Sequence, residues 1–197
     1  MKKLLVTGFK PFLKEPINPS EILALELGKR FSDIDVLVLP VSYERSFLDL
    51  QRHYLSYGPF DAVIMIGQAG GRNSVCLERV ALNWSENSLQ DEDGIKLPQK
   101  TLIDSAPASY ISDFFPNDWK DELSKIGATT VSFSAGTYVC NALYYRVIHS
   151  LTQNKIPALF VHVPYLPEQV ENKPEMPSMP LATQSEILSA LITLMKK

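Results

Sequence analysis

The chain has 197 residues, 45% of them hydrophobic, and a formal net charge of −3 from 19 basic and 22 acidic residues. That length and apolar content suit one domain, spanning 1–197, with one sizeable core. Without a basic run, no nucleic-acid or anionic-membrane partner is expected.

Reading from the N-terminus, Lys3–Thr7 is a short aliphatic run ending at Gly8 and is expected to be a buried strand. Three aliphatic residues after Lys2 and Lys3 are too few for the apolar region of a signal peptide. No stretch approaches the roughly 20 apolar residues of a membrane span, so a cytoplasmic protein is expected. Asn18-Pro19-Ser20-Glu21 has the form of a helix start, with Asn18 as cap and Pro19 in the first turn. Ile34–Val41 and Ala62–Ile66 predict strands, and Ser46–Tyr57 has helical spacing between them. Val75–Asn83 predicts a further strand.

Residues 84–118 are polar, carry Gly94, Pro98, Pro107 and Pro116, and show little periodicity. A structureless loop of that length is unusual, so a polar arm or lobe with short strands is expected here. Regular alternation then resumes. Asp121–Ile126 predicts a helix and Thr129–Phe133 a strand. Thr137–Asn154 predicts a helix, with Thr137 as cap and an apolar face of Cys140, Leu143, Tyr144, Val147, Ile148 and Leu151. Ala158–Val163 predicts a strand. Residues 168–180 are rich in Pro and Glu and are expected to cover the surface. Thr183–Met195 predicts a final helix with Thr183 and Glu186 as a capping box. The alternation implies an α/β protein, a three-layer sandwich around a mostly parallel twisted sheet.

In such folds ligands bind at the carboxyl ends of the strands. Four segments with unusual residues are expected at that edge: 7–12, 67–72, 134–141 and 162–165. Cys140 falls in a first helical turn, where free N–H groups and the helix dipole favour a thiolate; it is equally in phase with an apolar helix face. Cys76 lies inside a strand and reads as structural. His162, ending an aliphatic strand, is either a core histidine or the base that accepts a thiol proton. Glu78 shares a strand face with Cys76, where a carboxylate is costly unless paired; its partner is His162, or else Arg72 or Arg79. Phe9 and Phe12 flank the turn Lys10-Pro11 and are either packing residues or two rings clasping a small flat ligand. Gly67-Gln68-Ala69-Gly70-Gly71 matches neither dinucleotide nor phosphate-loop spacing. Neither the two cysteines nor the three histidines show metal-ligand spacing, so no metal and no cofactor is expected.

Taken together the segments resemble the pyroglutamyl peptidase I family, the pyrrolidone-carboxylate peptidases. The resemblance is carried by Thr7-Gly8-Phe9-Lys10-Pro11-Phe12, Gly67-Gln68-Ala69-Gly70-Gly71-Arg72, Glu78-Arg79-Val80-Ala81-Leu82-Asn83, Ser134-Ala135-Gly136-Thr137-Tyr138-Val139-Cys140-Asn141 and His162-Val163-Pro164-Tyr165. It implies a cysteine exopeptidase that removes an N-terminal pyroglutamyl residue from peptides. Cys140 would be the nucleophile, His162 the base and Glu78 its orienter. It further implies that Phe9 and Phe12 sandwich the pyrrolidone ring, that Asn18 and Gln68 shape the pocket, and that the enzyme is a cytosolic homotetramer. One stretch departs from the family pattern: Ser85-Glu86-Asn87-Ser88-Leu89-Gln90-Asp91 places Ser88 where the family carries an arginine. An amidase on another small cyclic acyl amide, and a catalytically weak binding homologue, stand as alternatives.

Overall fold

The computed structural model describes residues 2–112, 115, 117–151 and 156–196. Six strands form the main sheet: β1 (Leu4–Phe9), β2 (Ile34–Leu39), β3 (Ala62–Gln68), β4 (Val75–Glu78), β7 (Thr129–Ser132) and β8 (Ala158–Val163), in the order β2-β1-β3-β8-β4-β7. A separate two-stranded ladder joins β5 (Val80–Leu82) to β6 (Ser109–Ile111). The helices are α1 (Pro19–Arg30), α2 (Arg45–Tyr57), α3 (Asn117–Ser124), α4 (Val139–Leu151) and α5 (Leu181–Lys196).

Strand alternation sorts the core into two faces. Leu4, Val6, Ile64, Leu159 and Val161 meet Leu23 and Leu27 of α1, Leu123 of α3 and Ile187 and Leu191 of α5. Leu5, Phe9, Val63, Met65 and Phe160 meet Leu50 of α2 and Leu143, Tyr144 and Val147 of α4. This is the expected three-layer α/β sandwich. Because both faces are covered, β1 is buried at every position and reads as an apolar run broken only by Thr7 and Gly8. At its end Gly8 admits α1: a Cβ there would lie 2.2 Å from the Ser20 carbonyl oxygen.

Several boundaries differ from expectation. The run 75–83 is two strands, because the chain changes sheets at Arg79. Its N–H bonds the Ser132 carbonyl beside β4, while its own carbonyl accepts from Ser112 of the arm. The arm does carry short strands, β6 and a bridge between Ser85 and Lys100. α3 begins at Asn117, before the expected Asp121. α4 begins at Val139, and the expected stretch to Asn154 runs past the described residues. α5 starts at Leu181, with the Gln184 N–H on the Pro180 carbonyl, so Thr183 and Glu186 sit inside the helix and form no capping box there.

The sheet is parallel from β2 to β8, but β4 pairs antiparallel with β8, and β7 follows β4. Segment 134–138 therefore does not leave a strand that points at the common carboxyl edge, as expected. It returns from the far end of β7 to deliver Cys140. Among the described residues no helix is long and apolar enough to cross a membrane.

Candidate active site

Registry brings the chemistry together. His162 of β8 lies beside Gly67 of β3 on one side and Cys76 of β4 on the other. Paired residues share a face, so His162 and Gly67 both look toward α4. A Cβ on Gly67 would come within 3.1 Å of Cys140 Sγ and 2.8 Å of the Phe160 ring. The missing side chain is thus the space in which the sulfur sits next to the His162 position.

Glu78 lies two residues further along β4, opposite Phe160, and is fully buried. His162 Nδ1 lies 2.8 Å from Glu78 Oε1. A carboxylate only accepts, so Nδ1 carries the proton and Nε2 is left as the basic nitrogen. Arg72 Nη1 reaches the same oxygen at 3.0 Å, and Arg72 Nη2 donates to the Ser134 carbonyl at 2.9 Å. Two of the three partners weighed for Glu78, the imidazole and Arg72, are therefore engaged at once. Arg79 is engaged elsewhere, donating to the Ser112 carbonyl and lying 3.9 Å over the Phe115 ring.

Charge in this site is governed by burial. Burial pushes the Cys140 thiol up to about 12 and the nearby Glu78 carboxylate adds to the rise, while its own backbone N–H and Arg72 oppose them. The helix start is real, since Cys140 is the second residue of α4, but desolvation outweighs it. Burial and the Glu78 charge thus oppose the thiolate that the helix start favours. Burial also lowers the His162 pKa and Arg72 lowers it further, against the raising effect of the Glu78 hydrogen bond and charge. Both shifts favour the neutral pair, a thiol and a neutral imidazole.

Cys140 opens onto a cavity of about 230 Å³ that Phe9, Phe12, Asn18 and Gln68 also line. Five of the seven expected site residues thus share one cavity, and Glu78 and His162 stand outside its lining. Phe9 is only 2% exposed and packs on Phe160, so it is both core residue and cavity wall. Phe12 is more open, its ring centroid 6.2 Å from that of Tyr138. Asn18 caps α1: its Oδ1 accepts from the Ser20 N–H and Oγ, and its Nδ2 donates to the Lys10 carbonyl. It shapes the cavity by holding the Phe9–Phe12 turn. A larger groove of about 850 Å³ between α2, α4 and the arm contains none of the expected residues.

Eight other residues line the cavity that were not among the expected site residues: Leu13, Glu15, Ile17, Val41, Gly70, Leu89, Tyr138 and Tyr165. Tyr138 and Tyr165 sit within motifs already noted and Leu89 within the stretch 85–91 that departs from the family pattern, which was the available signal; Val41 carries only its place at the end of the strand expected over 34–41. Leu89 arrives because the arm is stitched over the site. Thr137, expected to cap α4, instead donates to the Glu86 carbonyl, and Tyr138 donates to the Gln90 carbonyl. Asp91 and Glu92 accept from the Tyr43 and Val41 N–H groups. Ser88 itself is exposed on this loop, next to Leu89 in the chain.

The family model described as pyroglutamyl peptidase matches residues 2–197. The chain is 37% identical to the pyrrolidone-carboxylate peptidase of Brachyspira hyodysenteriae, covering 98% of this chain and 97% of that one. It is 38% identical to that of Brevibacillus brevis, covering 93% and 87%. Among solved structures it is similar to the pyrrolidone carboxyl peptidase of Fervidobacterium islandicum, with TM-score 0.92 and 36% identity over 98% of this chain and 97% of that one. It is also similar to pyroglutamyl peptidase I of Bacillus amyloliquefaciens, with TM-score 0.88 and 32% identity over 96% and 92%. With the fold, the cavity and the Cys140 and His162–Glu78 positions already in place, these matches mean that the chain belongs to the pyroglutamyl peptidase family.

Proposed function

We propose that the protein is a cysteine peptidase that hydrolyses the amide bond after an N-terminal pyroglutamyl residue, with Cys140, His162 and Glu78 as its catalytic set. One observation carries the reading. Cys140 Sγ opens onto a small cavity walled by Phe9 and Phe12, in the gap left by Gly67, and Gly67 is the register neighbour of a histidine bonded to a buried carboxylate.

The pyroglutamyl ring fills the cavity between the two phenylalanine rings. It is flat and uncharged, which suits aromatic walls. The Cys140 thiol gives its proton to His162 Nε2 as sulfur attacks the carbonyl carbon. This order fits shifts that favour the neutral thiol and the neutral imidazole before reaction. The resulting oxyanion is met by backbone N–H groups of the first turn of α4, which have no partner within the helix. His162 Nε2–H then protonates the leaving amine, the C–N bond breaks, and a thioester remains. His162 removes a proton from water, hydroxide attacks the thioester, and pyroglutamate leaves as the thiol is reprotonated. Glu78 holds the ring and stabilises the imidazolium in both halves.

The natural substrates are peptides that begin with pyroglutamate, and the family resemblance implies a cytoplasmic homotetramer. Exposed Tyr57, Ile111 and Phe133 supply apolar surface for self-association, which sedimentation measures directly.

The test is turnover of a pyroglutamyl fluorogenic amide with and without iodoacetamide, followed by peptide mapping. Turnover should vanish in step with label on Cys140, because Cys76 is only 3% exposed, its Sγ 3.4 Å from the Ser74 carbonyl and 3.3 Å from Thr130 Oγ1. Label tracking inactivation at Cys76 overturns the assignment of the nucleophile. In a panel of blocked amides the pyroglutamyl substrate should lead; a different cyclic acyl amide in first place makes the protein an amidase of the same mechanism.

A further inference from the structure

Gln68 lines the cavity, and what its amide presents there depends on a residue outside it. Gln169, in the short 3-10 helix Pro167–Gln169, accepts at Oε1 from the Leu166 N–H at 2.9 Å. A backbone N–H only donates, so this end of the Gln169 amide must be its oxygen. Its nitrogen then points the other way, where Nε2 donates to the Ile17 carbonyl at 3.4 Å and to Gln68 Oε1 at 2.9 Å. The Ile17 carbonyl only accepts, which fixes the same orientation a second time. The Gln68 oxygen is therefore the end turned to Gln169. Its Nε2 is the end left to face a ligand, since the residue borders the cavity beside Phe9 and Phe12.

We propose that Gln169 is a positioning residue that locks Gln68 with its N–H₂ toward the ligand, so that the cavity selects rings bearing a carbonyl acceptor. The inference rests on the pyroglutamyl peptidase reading and adds the cause of its selectivity. The lactam carbonyl of a pyroglutamyl group can accept from Gln68 Nε2. A prolyl ring lacks that carbonyl and would leave the donor unpaired. If the Gln68 amide turned over, its oxygen would face the lactam oxygen, a bond would be lost and two acceptors would oppose each other.

Gln169→Glu tests this with almost no change of shape. The introduced carboxylate still accepts from the Leu166 N–H but cannot donate to Gln68 Oε1. Gln68 must then rotate to donate to that carboxylate, and its oxygen is turned to the cavity. For a pyroglutamyl amide, KM should rise by about 10–100-fold with a much smaller change in kcat, as expected when a site built for one hydrogen bond loses it. The preference for pyroglutamyl over prolyl amide should shrink in the same proportion.

Gln169→Met separates positioning from packing. It loses the Leu166 contact but imposes no orientation on Gln68, so it should lower Tm more than Gln169→Glu and raise KM less. The inference is overturned if Gln169→Glu keeps the wild-type KM and substrate preference, or if KM follows Tm across the two variants. Wild-type turnover is measured alongside. Failure of the wild type to cleave pyroglutamyl amides overturns the parent reading, whereas an active wild type with an unaffected Gln169→Glu overturns this inference alone.

Discussion

Glu78 carries two partners on one oxygen, and that changes how its role must be tested. In Glu78→Gln the amide oxygen can still accept from His162 Nδ1, but the imidazolium loses its counter-charge and kcat should fall by about 10²–10⁴-fold. The same substitution strips Arg72 of its carboxylate, so Tm falls as well and cannot by itself distinguish an orienter from an ion-pair partner. Arg72→Met separates them. Arg72 lowers the His162 pKa and, through its charge, the Cys140 pKa. Removing it should move the acid limb of the kcat/KM profile to higher pH, because the imidazolium is no longer repelled and Glu78 is left to it alone. The wild-type limb should lie below the ordinary histidine value of 6.5, and an unmoved limb in Arg72→Met would mean that the guanidinium is only structural.

Ser88 is the second residue whose meaning the folded chain sharpens. Arg72 and Arg79 are both committed to protein partners, so neither is a ready substitute for the family's arginine. Ser88 sits on the loop that brings Leu89 over the cavity. Ser88→Arg should raise kcat/KM on a pyroglutamyl amide at least several-fold, up to the roughly 10–100-fold that one charged hydrogen bond is worth. Equal rates in a well-folded variant would show that the loop no longer aims that position at the site.

At the scale of elements, the start of α1 and the cavity wall are one construction. Asn18 caps the helix, Ser20 Oγ accepts from the Phe9 N–H, and Asn18 Nδ2 holds the Lys10 carbonyl. Asn18→Ala should cost about 1 kcal/mol from the lost cap. It should also raise KM, because the Phe9–Phe12 turn loses its anchor. Denaturation and steady-state kinetics on one preparation check both, and a stability loss with unchanged KM would confine Asn18 to capping. The helix of Cys140 shows the opposite balance. A first turn favours the thiolate, yet a half-charge at a helix end is worth about 0.3–1 kcal/mol, too little to offset the desolvation that raises the Cys140 thiol.

Across the whole molecule, the arm functions as the second cover of α4. Asn141 is fully buried, and its side chain bonds the Leu82 N–H, the Leu82 carbonyl and the Trp84 carbonyl. Tyr145 donates to the Pro107 carbonyl from the same helix. These contacts explain why α4 is buried at Asn141, Ala142 and Tyr145, outside the single apolar stripe that its spacing predicts. Asn141→Ala leaves the Leu82 N–H unpaired and should cost roughly 1–3 kcal/mol. Limited proteolysis should then cut within 84–112 faster than in the wild type, with turnover falling as Leu89 leaves the cavity. A variant equally resistant to protease would show that the arm is held by its other contacts.

The order of strands and helices, the two-faced core and the unusual placing of Phe9, Phe12 and Cys140 were legible in the sequence, because each depends on a local pattern, whereas Asn18 and Gln68 were placed at the cavity only by the family resemblance. Apolar runs bounded by glycine, an Asn-Pro-Ser helix start and a cysteine in a first turn declare themselves within a few residues. Which way β4 and β7 run, and therefore that Glu78 meets both His162 and Arg72, depends on pairing between strands 84 residues apart. The neutral state of Cys140 depends on the sum of all atoms packed around it, which no short window contains. The same holds for Gln169, which lies 101 residues from Gln68 and reaches it only when the loop after β8 closes against the one after β3. Short-range chemistry determined what kind of protein this is; tertiary packing decided the charge, the partners and the orientation of its reacting groups, because burial and long-range hydrogen bonds exist only in the folded chain.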